Sequence, residues 1–582
     1  MGLWVLEPKQ KDIKVPGTVH IERDTAVLRS LTAHLKHGTG RDEDIVLVPQ
    51  PSDSVNDPLN WPRSKKLFHS YFLALGTSFA SGTCYFLNPS ATLMSKQVHT
   101  SVTQISRTIS VLMLCMGIAS ILTTPLARIY GKRPVFLGLG LVSVVGYGVL
   151  LAHPYDLRYL YAGRALWGAG VSGLEYLVSS SVGDLFFVHQ RGFHLALWHF
   201  ALAGGNSLGQ VIASQIVAGQ NYVWAFRYAL IFMSAYIVAF FFLAPETTYN
   251  RPNKYDTDVL ELLAGEDGAS AESLHPVEKT TVQAEKTEKT EKTANESTVV
   301  AGSEPDDNES NSAATASRDH DRDLEGESAR ERPTPYLQSL RLVHGRFSDE
   351  NYFVALVSPF ATFMLPGVTW AAYSYGCAVA FSASQSVSLS SIFTVPPYNF
   401  STRAVGLTVL APFVANILGN FVPGPVADWL VRFMARKNDG VYEPEFRNIL
   451  SLPALITGLG GYWGFGLCIH YQVHWFGPVF FFGLSAFSGS ILSLVSNTYL
   501  LDCHRKHAQD GYAAVTLLKS VMTFAIAFFM NSWLARSGPI KVYFIIGTIH
   551  GVGCLYGLVL YVWGKQMRLA VHQNAFIQRC LP

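Results

Sequence analysis

Twelve apolar stretches, each long enough to cross a lipid bilayer, are the feature that most constrains the fold of this chain. A bilayer core about 30 Å thick needs roughly 20 apolar residues per helix. The first six stretches lie near residues 67–87, 105–127, 133–152, 158–183, 193–219 and 223–244. The last six lie near residues 352–382, 404–427, 447–470, 474–500, 510–535 and 540–564. Because backbone polar groups must be satisfied inside the bilayer, we predict an all-α membrane protein.

Charge is distributed very unevenly along the chain. Residues 247–350 hold 12 basic and 23 acidic residues, whereas the rest of the chain holds 32 basic and 19 acidic residues. The acidic segment is rich in Ser, Thr and Glu and poor in large apolar residues, so we predict a disordered acidic cytoplasmic loop at 247–350. The basic residues are scattered among loops rather than gathered on one face, so nucleic acid is not an expected partner.

The stretches and the acidic loop together define the predicted domains. Residues 1–66 and 566–582 form cytoplasmic tails, and residues 67–246 and 351–565 form two six-helix bundles. Lys and Arg are more frequent in the short loops on one side, and the positive-inside rule then places both termini in the cytoplasm. Asn399, in the sequon Asn-Phe-Ser, falls in an outer loop and is expected to be glycosylated. We expect a monomer in the plasma membrane.

A short repeat relates the two bundles. Thr124-Pro-Leu-Ala-Arg128 closes the second stretch and Gly424-Pro-Val-Ala-Asp428 closes the eighth, with an offset of 300 residues. Two similar halves joined by a long loop are typical of transporters that expose a central site to each side in turn. We therefore predict twelve transmembrane helices in two pseudo-symmetric six-helix bundles.

The loop after the second stretch resembles a motif of the major facilitator superfamily. Tyr130-Gly131-Lys132-Arg133-Pro134 matches the end of that motif, while Thr124 and Arg128 replace its Gly and Asp. In the family this Asp helps to latch one closed state, so the resemblance puts the latch of the first half in doubt. The second half keeps the Gly and the Asp. The residues predicted to act in conformational gating are Arg128, Gly131, Lys132, Arg133, Gly424 and Asp428.

Further motifs are similar to those of fungal drug:proton antiporters with twelve spans. They are DPLNWP at 57–62, IYGKRPVF at 129–136, PETTYNR at 245–251, PPYNFS at 396–401 and GVYEPEFR at 440–447. The set most resembles the subgroup that includes yeast histidinol and polyamine permeases. That subgroup contains uptake permeases and exporters of secondary metabolites, so the resemblance implies transport but names no substrate.

Charged residues inside the apolar stretches are few, and each is a functional candidate because a charge in lipid is costly. Arg164 lies in a segment that resembles the family's RxxxG motif, which is linked to proton coupling there. Glu175 lies about 16 Å further along the same helix and on nearly the same face. A carboxylate removed from water binds a proton more readily, and it can equally attract a cation. We predict that both residues face one cavity and serve proton coupling or substrate binding; the alternative is a structural role.

Polar and aromatic residues elsewhere are candidates for a substrate cavity. Trp370 and Tyr373 share one helix face and can stack on a flat or cationic ligand, or they belong to an interfacial aromatic belt. Lys519 can bind an anion, pair with Glu175 or extend to the cytoplasmic interface, and we slightly favour the interface. The residues predicted for the cavity are Asn206, Gln210, Trp370, Tyr373, Asn497, Tyr499 and Lys519.

These observations predict a proton-coupled secondary transporter of small organic molecules that exports a fungal secondary metabolite or drug by alternating access. Uptake of a cationic nutrient such as a polyamine is the alternative, and a non-transporting membrane sensor is a remote one. The sequence contains neither the GxxxxGK[ST] motif of ATP-binding loops nor the HExxH motif of zinc enzymes. We expect no enzyme activity, no cofactor and no metal. The expected partners are a small-molecule substrate, protons and the lipid bilayer.

Overall fold

The computed structural model describes most of the chain outside the acidic loop. The described residues are 49–250, 335–438, 441–504 and 507–581, together with 5–6, 19–20, 36 and 47. Residues 251–334, which form most of the predicted loop, lie outside the described part.

Six long helices make up the first half of the protein. They are α1 Arg63–Cys84, α2 Val102–Tyr130, α3 Lys132–Ala152, α4 Leu157–Leu185, α5 Val188–Gly219 and α6 Tyr222–Leu243. Their bounds lie within a few residues of the predicted stretches. Side chains fix several starts: Ser101 and Gln104 form a reciprocal capping box on α2, and Asn221 caps α6.

The second half is also built from six membrane helices. The first four are α7 Pro366–Phe393, α8 Thr402–Lys437, α9 Pro444–His470 and α10 Phe476–Cys503. The continuous helix Ala508–Gln573 supplies the last two, because Gly538 interrupts it with a φ of 74° and a ψ of 162°. We therefore name residues 508–537 α11 and residues 539–573 α12.

Length and composition identify most of these helices as membrane spans. Among the described residues, seven helices are long and apolar enough to cross a membrane, or up to eight if the bent pair Tyr352–Met364 and Pro366–Phe393 is one span. Ala508–Gln573 counts once in that total although it holds both α11 and α12. Three helices, α1, α4 and α5, are long enough but are not among these spans, because they carry more polar residues.

The seventh membrane helix begins later than the sequence predicts. Within the predicted stretch 352–382, the chain bends by 90° between the segment Tyr352–Met364 and α7. Pro366 occupies the first turn of α7, where its missing N–H costs no hydrogen bond. Because α7 runs on to Phe393, residues near position 370 lie in its first turns rather than near its middle.

The same helix pairs pack together in both halves, which confirms the predicted pseudo-symmetry. In the first half α1 packs on α5, α2 on α4 and α3 on α4; in the second half α7 packs on α11, α8 on α10 and α9 on α10. The two halves meet where α2 lies along α11 and where α5 lies along α8.

Glycines permit the close approach of α1 and α5. A Cβ atom at Gly209 would lie 2.1 Å from the carbonyl oxygen of Gly82, and one at Gly205 would lie 2.3 Å from that of Ser78. A larger residue at either glycine would force the helices apart. The glycines of the fifth stretch therefore serve helix packing.

We call the end of the molecule where α2 ends and α7 begins the linker side, and the other end the opposite side. Part of the N-terminal tail contacts the second half on the linker side. Strand β1, Val19–His20, pairs antiparallel with β2, Val441–Tyr442. Nearby, the Leu6 N–H donates to the Val562 carbonyl oxygen at 2.9 Å. The tail thus links the start of the first half to the second half.

The loop between α7 and α8 provides a test of orientation. It lies on the opposite side and contains the exposed Asn399. If that side faces away from the cytoplasm, Asn399 should carry an N-glycan, and glycosidase treatment should increase the mobility of the protein on a gel. Asn399→Gln should abolish this shift, whereas Asn308→Gln in the central linker should leave it unchanged. A glycan at Asn308 instead would show the reverse orientation.

Candidate functional site

A cavity of about 110 Å³ lies between the two halves. It is lined by α1, α2, α4 and α5 from the first half and by α7, α8, α10 and α11 from the second. Most of the lining side chains are apolar or small, among them Met113, Met116 and Leu202. Among the described residues that line it, Glu175 is the one acid and Lys519 is the one residue with a permanently basic side chain at neutral pH.

Glu175 and Lys519 form an ion pair that joins the two halves. The Nζ atom of Lys519 on α11 contacts Oε1 of Glu175 on α4. The Lys519 side chain is 2% exposed and that of Glu175 is 15% exposed. The preference for Lys519 at the membrane interface was wrong, because Lys519 lies about three turns into α11. The structure instead shows Lys519 in one of the alternative roles, as the partner of Glu175.

Arg164 does not share this cavity with Glu175. Its side chain is fully buried, with the guanidinium 5.3 Å from the ring centre of Trp167 and 5.8 Å from that of Phe226. Its three side-chain nitrogens have no hydrogen-bond partner among the described residues. The prediction of one shared cavity was wrong, because the cavity does not extend the roughly 16 Å along α4 that separates the two residues.

Asn206 and Gln210 have different surroundings although they lie one turn apart on α5. Asn206 lines the cavity as predicted. Gln210 is not a lining residue: its amide donates to Asn206 Oδ1 at 3.2 Å, and its Oε1 accepts from Ser386 of α7 at 2.5 Å. Gln210 therefore bridges the halves on the opposite side of the cavity.

Trp370 and Tyr373 do not reach the cavity, so the prediction of a stacking pair there was wrong. Trp370 Nε1 donates to the Gly553 carbonyl oxygen at 3.0 Å, and the Tyr373 hydroxyl donates to that of Ile549 at 3.0 Å. Both side chains thus pack α7 against α12. The aromatic residue of α7 that lines the cavity is Tyr375, which the sequence analysis missed.

Asn497 and Tyr499 also lie outside the cavity, contrary to prediction. Both belong to the part of α10 that is near the linker side, whereas α10 lines the cavity with residues between 486 and 493. The Tyr499 hydroxyl donates to Glu445 Oε1 at 3.3 Å. The Asn497 carbonyl oxygen accepts from the Tyr512 hydroxyl at 3.2 Å.

Glu246, the glutamate of PETTYNR, binds the backbone of the motif between α2 and α3. Glu246 accepts hydrogen bonds from the backbone N–H groups of Lys132, at 3.1 Å, and Arg133, at 2.9 Å, at the positive end of α3. Gly131 has a φ of 94°, and a Cβ there would lie 2.5 Å from the Glu246 carboxylate. Lys132 forms an ion pair with Asp184 at the end of α4. These contacts fasten α3, α4 and α6 together on the linker side.

The described end of the central loop, residues 335–350, docks on the first half. The Arg133 guanidinium donates to the carbonyl oxygens of Ser339, at 2.7 Å, and Arg341, at 2.5 Å. The Phe347 N–H donates to the Ile129 carbonyl oxygen at 2.8 Å. This part of the segment 247–350 therefore differs from the disorder that its composition predicts, because the Arg133 guanidinium and the Ile129 carbonyl oxygen of the first half bind its backbone.

Arg128 crosses the interface between the halves. Its Nη1 lies 3.2 Å from the carboxylate of Asp510 in the first turn of α11, and its Nη2 lies 2.9 Å from Glu350. Ser358 also donates to Asp510. The sequence has Arg at position 128 where the family has Asp, which put the latch of the first half in doubt. The structure shows a contact between the halves at this position all the same, with the cation on the first half and the acid on the second.

The equivalent block of the second half has fewer described contacts. Gly424 lies at the start of the helix Pro423–Lys437, and a Cβ there would meet no neighbour within 4 Å. The side chain of Asp428 lies outside the described part of the structure.

Sequence analysis missed a buried charge cluster on the linker side of the second half. Arg568 lies 3.0 Å from Glu443 and 2.8 Å from Glu445, and Lys565 lies 2.7 Å from Glu443. The available signal was the pair of glutamates in GVYEPEFR, but the predicted last stretch ended at 564, before both cations. The cluster anchors the end of α12 to the start of α9.

DPLNWP proves to be an anchor for the start of α1. The buried carboxylate of Asp57 accepts hydrogen bonds from the backbone N–H of Ser52 at 3.0 Å and from that of Leu59 at 2.9 Å. It also caps the short helix Pro58–Asn60. The motif thus fixes the chain before α1 and lies away from the cavity.

Twelve helices in two like halves around a central cavity define a multi-pass membrane transporter. The sequence matches the family model of the Major Facilitator Superfamily over residues 73–527. The chain belongs to this family.

Individual comparisons agree with this assignment. Protein HOL1 of Saccharomyces cerevisiae is 26% identical, and the match covers 90% of each chain. The MFS antiporter QDR3 of Candida albicans is 23% identical, over 90% of this chain and 81% of the relative. The solved structure of the proton:xylose symporter XylE has the same fold, with a TM-score of 0.52 at 13% identity, covering 86% of this chain and 96% of the symporter.

The contact between Arg128 and Asp510 can be tested by exchanging the two charges. Arg128→Asp should lower the melting temperature of the purified protein, because it places a carboxylate beside those of Asp510 and Glu350. Adding Asp510→Arg should restore most of the loss, with a coupling energy of about 1 kcal/mol. Thermal unfolding in detergent measures both effects. Strictly additive losses would show that the two side chains do not interact.

Proposed function

We propose that this transporter exports lipophilic small organic molecules, such as a fungal secondary metabolite or drug, and that proton flow drives the export. The observation that carries the proposal is the mainly apolar cavity between the halves, whose lining includes one ion pair that contains its acid, Glu175. We further propose a plasma-membrane location with both termini in the cytoplasm.

Contacts between the halves on both sides of the cavity support alternating access. On the opposite side, Asn88 Nδ2 donates to Ser386 Oγ at 2.9 Å and Asn531 Nδ2 donates to Ser106 Oγ at 2.8 Å. On the linker side, Arg128 contacts Asp510. The hydrogen bonds and the ion pair named here lie on one side or the other, and we propose that one set opens while the other stays closed. A site that opens to one side at a time is what a carrier requires.

The position of Glu175 supports coupling to protons. A neutral carboxyl group loses its Coulomb attraction to Lys519, so proton binding weakens a contact that holds α4 of one half to α11 of the other. A ligand shifts a conformational equilibrium when it binds one state more tightly. A proton on Glu175 would therefore favour the state in which α4 and α11 are apart.

The cavity lining favours a lipophilic substrate over a polyamine. A polycation would need several carboxylates, and among the described lining residues Glu175 is the sole acid and is already paired. Trp370 and Tyr373, which were predicted to stack on a cation, lie elsewhere, and the aromatic residues that line the cavity are Tyr85 and Tyr375. The relative QDR3 is named an antiporter, which supports export over uptake.

Efflux from yeast cells stripped of their own pumps tests this proposal, with the uncharged dye Nile red as the probe. Cells with the wild-type protein should retain less dye, and the difference should grow when the external pH falls. Glu175→Gln should slow efflux by roughly tenfold, or about 1.4 kcal/mol of barrier, because it removes the proton site.

Asp156→Asn is the matched control, since Asp156 is an exposed acid on the opposite side that caps the same helix. It should keep wild-type efflux. Efflux that ignores external pH in the wild type would contradict proton coupling. A protein that is at the cell surface and moves no probe would favour the sensor.

A further inference from the structure

We propose that Lys519 determines which substrate charge the cavity accepts: it occupies the Glu175 carboxylate as a tethered cation, so that the transported molecules are uncharged and cations are excluded. This inference rests on the proposed transport of small organic molecules through the same cavity. It names the chemical class of the substrate and the residue that selects it.

The first step is the charge of the lining. With Glu175 ionised the pair sums to zero, and with Glu175 protonated the lining carries one positive charge. The other ionisable side chains that line the cavity are Cys84, Tyr85, His199 and Tyr375. Cysteine and tyrosine are uncharged at neutral pH, and histidine is neutral or positive. The described lining is therefore neutral or positive, and no proton state with a charged Lys519 makes it negative.

The second step is the cost of displacing Lys519. A cationic substrate that took Glu175 for itself would leave the Lys519 ammonium without a counter-charge at a position only 2% exposed. No second carboxylate lines the described cavity, and the nearest aromatic ring, Tyr375, lies 5.9 Å from Nζ. A cation–π contact at that distance replaces only a small part of a buried ion pair. Binding a cation is thus opposed. An anion that took Lys519 would likewise leave the Glu175 carboxylate without its counter-charge, whereas an uncharged molecule leaves the pair intact.

The third step is the geometry of access. Glu175 is the more exposed member of the pair, and Lys519 lies deeper on α11, where its backbone packs against α7: a Cβ at Gly376 would be 3.5 Å from the Lys519 Cα. A substrate that enters the cavity meets the Glu175 carboxylate, whose charge is already neutralised by the deeper Lys519.

Three probes that share one scaffold test the inference on the purified full-length protein. They are naphthalenemethanol, naphthalenemethylamine and naphthoate, and the readout is the dissociation constant of each from ligand-induced thermal stabilisation. The wild type should bind the alcohol more tightly than the amine. Lys519→Gln should improve binding of the amine relative to the alcohol by at least roughly tenfold, because it leaves Glu175 unpaired.

Two further variants separate charge from packing. Lys519→Arg keeps the cation and should keep the wild-type order. Glu175→Gln combined with Lys519→Gln is uncharged and should lose the gain for the amine. A wild type that prefers the amine or the carboxylate, an unchanged order in Lys519→Gln, or binding of none of the probes would each overturn the inference.

The outcomes also distinguish this inference from the proposed function. Preference for the amine in a protein that still exports Nile red would refute selection by Lys519 and leave export standing. The expected binding order in a protein without pH-dependent efflux would refute proton-driven export and leave the selection standing.

Discussion

The ion pair between Glu175 and Lys519 is the interaction on which the proposed coupling and selectivity of the cavity depend. Each half contributes one partner, and both partners lie away from bulk water. Removing one member of a buried pair costs roughly 3–5 kcal/mol, since the other charge is left uncompensated. The proposed selection of substrates by charge and the proposed effect of Glu175 protonation on the separation of α4 and α11 both rest on this cost.

Packing within the first half differs in kind from packing between the halves. Inside the first half, backbones touch: a Cβ at Gly168 of α4 would lie 2.2 Å from the Leu112 carbonyl oxygen of α2. Between the halves, a glycine meets a side chain instead: a Cβ at Gly117 of α2 would lie 2.6 Å from the Ser520 Cβ of α11, and hydrogen bonds such as that of Asn531 with Ser106 add to such contacts. Close backbone packing is costly to disrupt, whereas isolated hydrogen bonds are exchanged at lower cost. We therefore expect each half to move as a unit.

The sequence predicted the membrane helices well because length and hydropathy are local properties. It also singled out Glu175, since a carboxylate inside an apolar stretch is rare. It could not identify Lys519 as the partner with certainty, because that contact joins positions 344 residues apart and depends on how the halves dock. The latch between Arg128 and Asp510 was missed for the same reason. Trp370 and Tyr373 were misplaced because they lie on the face of α7 that packs on α12, whereas Tyr375 lies on the face toward the cavity. Arg164 was misplaced because helical periodicity gives the face of a residue but not the extent of the cavity.

The central claim is that the ion pair between Glu175 and Lys519 holds the halves together. Distances between spin labels on the two halves test this claim most directly. One label pair would replace Phe193 and Lys437 on the linker side, and the other would replace His153 and His474 on the opposite side. Glu175 and Lys519 lie nearer the linker-side ends of their helices. The account predicts that acidification lengthens the linker-side distance in the wild type, and that Glu175→Gln lengthens it already at neutral pH. Distances that are the same in both proteins at both pH values would contradict it.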